Sequence, residues 1–118
     1  MKRSLRALTT AAADHFSYLI VYAPDFPRED KTDVGREYGR LLEMLREIEG
    51  RAADTPKKQW LRLAIVETEQ ARDAHRARDA TTANDLLHSA EEHFKAYLSG
   101  KRGSPGFIAG PDGTIEPA

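Results

Sequence analysis

At 118 residues the chain suffices for one ordinary domain and is too short for two independent cores. With 18 Lys plus Arg against 19 Asp plus Glu its net charge is −1, so it lacks the basic footprint of a general nucleic-acid binder, and the short run Lys2, Arg3, Arg6 does not supply one. The absence of cysteine excludes a disulfide scaffold, thiolate catalysis and thiolate-ligated zinc, and fits the expectation of a cytoplasmic protein.

The apolar fraction is 40%, and much of it is alanine, which favours helix but contributes little burial per residue. A thin core follows, and with it the expectation of association with a second copy or a protein partner. The longest apolar run, Phe16 and then Tyr18 to Ala23, falls short of the roughly 20 residues that span a bilayer. Asp14 and His15 interrupt the apolar segment that a secretory signal would need after Lys2, Arg3 and Arg6.

The first predicted helix runs from Ser4 to Tyr22, with Leu5, Leu8, Ala12, Phe16 and Leu19 on one face. Tyr18 to Tyr22 also has strand character, but no segment of similar quality is present to pair with it. Pro24 and Pro27 stop the helix. Phe26, near both prolines, is either a lid on the bundle end or an exposed contact.

A second helix is expected from a cap at Thr32 or Asp33 to Gly50, on the stripe Val34, Tyr38, Leu41, Leu45, Ile48. Gly35 and Gly39 beside that stripe suggest a packing notch. The third helix is expected to be capped by Thr55 with Pro56 at its first position. It carries Trp60, Leu63, Ala64, Ala71 and Ala74 inward, with Leu61 and Ile65 flanking, and ends near Asp79. Trp60 is expected against the end of helix two or the Pro24–Pro27 connection.

Thr82 with Asp85 reads as a weak capping box for helix four, whose face is Ala83, Leu86, Leu87, Ala90, Phe94, Tyr97 and Leu98 before Gly100. One kinked helix through residue 80 is the alternative. Residues 101–118 are rich in glycine and proline: Pro111-Asp112-Gly113 is turn chemistry, and Phe107-Ile108 and Thr114-Ile115 flank it as a minimal hairpin. That tail is either disordered or docked through Phe107 and Ile108. The fold class is therefore all-α: a small up-down antiparallel bundle of four helices in residues 1–100, followed by an irregular C-terminal tail in 101–118.

Few residues point to chemistry. No serine lies on a strand–turn–helix elbow, no glycine-rich phosphate loop opens a helix, and neither HExxH nor paired Glu-x-x-His is present. Helical phase puts one ionisable residue on or beside each apolar face: His15, Glu37, Glu67 and His93. Glu67, between Leu63 and Ala71, is the sharpest, and a buried lone carboxylate must have a partner. Convergence of these groups would make a metal site, with Glu67 and His93 at its centre; a structural polar contact is the plainer reading. His88 and Glu92, four apart, read as an outward pair, and His75 with Asp79 repeats the four-residue spacing; both read as structural. Asp14-His15-Phe16 echoes Glu92-His93-Phe94 without defining a repeat.

The expected function is a non-catalytic, self-associating helical interaction or adaptor protein needing no cofactor, with no nucleic-acid or membrane partner. Tyr22, Phe26, Trp60 and Phe107 are its candidate contact residues. The alternative is a metal- or small-ligand-binding bundle using Glu67 and His93.

Overall fold

The computed structural model describes residues 3–99 and, further on, the backbone of two short strands. Four helices account for nearly all of the first segment: α1 (Leu5–Tyr22), α2 (Val34–Arg51), α3 (Lys58–Arg76) and α4 (Ala80–Leu98). α2 and α4 each neighbour both α1 and α3, so the helices close into an up-down ring, and α3 packs most extensively on α4. No described helix is long and apolar enough to cross a membrane.

Three helix starts are fixed by oxygen-bearing side chains that accept exposed amides of the first turn. Ser4 accepts from the Ala7 amide at 3.1 Å, Asp33 from Arg36 at 2.8 Å and Asp79 from Thr82 at 3.1 Å. The sequence had pointed to Thr82 as the cap of α4. Instead Asp79 caps it, and the Thr82 hydroxyl reaches back to the second Asp79 oxygen at 2.7 Å. The Thr82 hydroxyl holds the Asp79 carboxyl below its usual range, with help from the Thr82 amide.

The start of α3 also differs from expectation. Thr55 makes no side-chain cap; residues 55–60 form a tight turn in which the amides of Lys58, Gln59 and Trp60 bond three residues back, to Thr55, Pro56 and Lys57. α2 runs one residue past Gly50, to Arg51.

Two separate helices, not one kinked helix, meet near residue 80. α3 ends in a paired closure: the Asp79 amide bonds the Ala74 carbonyl and the Arg78 amide bonds the His75 carbonyl, with Arg78 left-handed at φ 61°. Glycine is the residue that adopts this conformation without strain. Conversely, Gly39 sits exposed within α2, and a Cβ built there meets nothing within 4 Å. The expected packing notch at Gly35 and Gly39 is therefore absent: both face solvent, away from the helix contacts. Exchanging the two preferences is expected to stabilise the fold, Gly39→Ala and Arg78→Gly by about 0.5–1 kcal/mol each, read from urea midpoints.

The core joins Leu8, Phe16 and Leu19 of α1, Tyr38, Leu41, Leu45 and Ile48 of α2, Leu61, Ala64 and Ala71 of α3, and Leu87, Ala90 and Phe94 of α4. In α3 the most buried line is Leu61, Ala64, Thr68 and Ala71, so Leu61 lies at the centre of the face and Trp60 at its half-buried margin. Thr68 is fully buried and satisfies its hydroxyl on the Ala64 carbonyl one turn back, at 2.7 Å.

Strands β1 (Phe107–Ala109) and β2 (Ile115–Pro117) pair antiparallel, with Ile108 opposite Glu116, and β1 lies beside α3. The expected Pro111-Asp112-Gly113 turn, the Gly100 helix stop and the Phe107 side chain lie outside the described residues.

Candidate functional site: histidine clasps between helices

Glu67 projects from the middle of α3 into its contact with α4 and is only 5% exposed. Ser89 and His93, four apart on α4, share one helical face and meet the same carboxylate. The Ser89 hydroxyl donates to Oε2, and His93 Nδ1 bonds Oε1. The Trp60 ring, two turns before Glu67 on α3, covers His93 at a centroid distance of 5.5 Å. Trp60 thus meets helix four through His93.

The order of groups decides the chemistry. In a hydrolytic triad the imidazole stands between carboxylate and hydroxyl and takes the hydroxyl proton. Here the carboxylate stands between them, so Ser89 donates to Glu67 and has no base from His93. The arrangement gives each oxygen of a buried carboxyl group a hydrogen-bond partner and fastens α3 to α4. Glu67 and His93 were legible from helical phase; Ser89 was not singled out, although its four-residue spacing from His93 is the signal that places it there.

A second clasp joins α1 to α2. Glu37, 2% exposed, accepts from the Thr32 hydroxyl at 2.5 Å and from Arg40 Nη1 at 3.0 Å. His15 Nε2 lies 3.3 Å from its carboxylate and 3.0 Å from its main-chain oxygen. Two adjoining clefts of about 630 and 600 Å³ run along this seam and share Ala11, His15 and Arg40. At the upper end, Tyr18 donates to Asp30 at 2.5 Å, and its phenol is pushed up to about 12, chiefly by that hydrogen bond.

The third clasp joins α2 to α3. The four-residue spacing pairs His75 with Asp79, but the hydrogen bond that His75 makes is with the fully buried Tyr38, whose hydroxyl lies 2.7 Å from its Nδ1. Burial raises the Tyr38 phenol well above its ordinary range and lowers His75 below 6.5. The unfolded chain therefore binds more protons at this residue, so its contribution to stability is complete above about pH 6.5 and lost as pH falls below it. His75→Gln is expected to flatten the rise in urea midpoint between mildly acidic and neutral pH relative to the parent chain.

Three histidines thus fasten three seams of the ring, while Phe16 and Phe94, with ring centroids 5.6 Å apart, close the fourth between α1 and α4. His88 is exposed. The four inward ionisable residues form two separate pairs, and no group of three or more His, Asp or Glu among the described residues is arranged to hold a metal ion. No protein-family model, curated protein or solved structure matches this chain.

Proposed function

We propose that the chain is a self-associating helical interaction protein without a catalytic role, and that its contact surface is the C-terminal end of α1. The observation that supports this reading is the exposure of Val21 (68%) and Tyr22 (42%) on a helix whose other large apolar side chains are covered. The two residues border a preset aromatic group: Phe26 stacks on Tyr18 at 5.4 Å, and Tyr22 lies 5.3 Å from Tyr18. Rings held in place by neighbours lose little freedom on binding, which favours their use as contact anchors. Phe26 serves as a half-buried lid packed on the core, so Val21 and Tyr22 are the free contact groups.

Sedimentation velocity over a range of concentrations tests the reading. The parent chain is expected to associate as concentration rises, and Val21→Glu to shift it toward monomer. A parent chain that stays monomeric throughout, or a Val21→Glu chain that associates as the parent does, overturns the proposal.

The metal- or small-ligand reading is favoured by one observation, the contact of Glu67 with His93. Both Glu67 oxygens are already engaged, so a bound cation would have to displace Ser89 or His93. Zinc titration with calorimetric detection is the direct test of that reading.

A further inference from the structure

We infer that copies of this chain associate head to tail, the aromatic corner at the end of α1 in one molecule seating in the cleft beside Leu98 of the next. The inference rests on the self-association proposed above and names the surface that receives the corner. Among the described residues the exposed large apolar side chains are Val21, Tyr22 and Leu98, and they lie at opposite ends of the bundle. Leu98 borders a cleft of about 310 Å³ formed with Leu5, Arg6, Thr9, Lys57 and Tyr97, at the N-terminal end of α1. The length of α1, 18 residues or about 27 Å, separates this cleft from the corner, so the two patches of one molecule cannot meet each other.

Their charges are complementary. The corner is bordered by the exposed carboxylates Asp25, Glu29 and Asp30, which outnumber Arg28 and Lys31 in the same connection. The cleft carries Arg6 and Lys57, and among its described lining residues there is no carboxylate. Lys57 Nζ lies 5.5 Å from the Tyr97 ring, an arrangement that holds a cation at the mouth of an aromatic-walled site. Two corners facing one another would set carboxylates against carboxylates, which disfavours a two-fold contact. A corner in a cleft pairs unlike charges and buries apolar side chains on both sides. Such a contact leaves one corner and one cleft free, so it repeats into a ring or an open chain of molecules.

Two surface variants test this, each checked by circular dichroism for retained helix and cooperative melting. Tyr22→Glu spoils the corner, and Arg6→Glu with Lys57→Glu spoils the cleft. Sedimentation velocity is expected to show each variant weakened about tenfold or more in self-association, and an equimolar mixture of the two forming a dimer and nothing longer. That capped dimer arises because the sound corner of one variant meets the sound cleft of the other. High salt is expected to weaken the parent assembly. If Tyr22→Glu abolishes association while the cleft variant associates like the parent, the corner meets another surface; the head-to-tail inference is then overturned and the contact reading stands. If Tyr22→Glu associates unchanged, or the parent is monomeric throughout, both are overturned.

Discussion

His93→Leu is expected to lower the free energy of unfolding by about 2 kcal/mol, in the range for leaving a buried hydrogen-bonding group without its partner. The loss arises because the Glu67 carboxyl, 5% exposed, loses the imidazole partner of one oxygen and retains only the Ser89 hydroxyl on the other. The informative comparison is the triple variant Glu67→Leu, Ser89→Ala, His93→Leu. Removing all three polar groups together leaves none of them stranded, so it is expected to recover most of the loss despite deleting every hydrogen bond of the clasp. Urea denaturation of the single and triple variants makes the measurement. A triple variant as unstable as His93→Leu would show that the clasp contributes net stability beyond its own desolvation.

Phe94→Ala is expected to be at least as damaging, at about 4 kcal/mol, because the side chain is fully buried and its removal leaves a cavity where α1 meets α4. A domain of this size commonly has about 5–15 kcal/mol in total, so the loss is a large share of the whole. Phe16→Ala should be comparably damaging, since it faces Phe94 at 5.6 Å across the only seam without a histidine clasp. The double variant is expected to cost less than the sum of the two by about 1 kcal/mol, the aromatic pair being lost once. Thermal and urea unfolding of the four chains give the coupling directly.

The four helices were legible because their apolar residues recur at helical spacing over segments long enough to average out local ambiguity, including the strand-like Tyr18 to Tyr22. Their ends were less legible, since capping depends on backbone angles that residue type constrains weakly. Thr55-Pro56 has the right residues for a helix start, yet the tight turn there delays α3 to Lys58. Thr82 likewise has cap chemistry, but Asp79 three residues earlier takes the role.

Within the candidate site, Glu67 and His93 stood out as ionisable residues on apolar faces, and they do meet. His75 carries only its spacing from Asp79 as a sequence signal, although it lies four residues after Ala71 and eight after Glu67, on the same line of α3. Its charged neighbours Arg72, Asp73 and Arg76 obscured that phase. Which histidine joined which helix was beyond the sequence, because partner choice depends on the arrangement of all four helices at once.

The mirrored placement of the two outer clasps has a consequence for how the chain finds its shape. Along the sequence the order is His15, Glu37, Glu67, His93, so each helical hairpin, α1 with α2 and α3 with α4, contains both halves of its own clasp. Sliding one helix of a hairpin by a single turn, about 5.4 Å, would strand a carboxylate against apolar side chains. Each hairpin can therefore reject slipped registers using residues close in sequence, before the other half of the chain is in place. The contacts that join the two hairpins, Tyr38–His75 and Phe16–Phe94, span longer stretches of chain than either clasp and so carry the larger loop-closure cost.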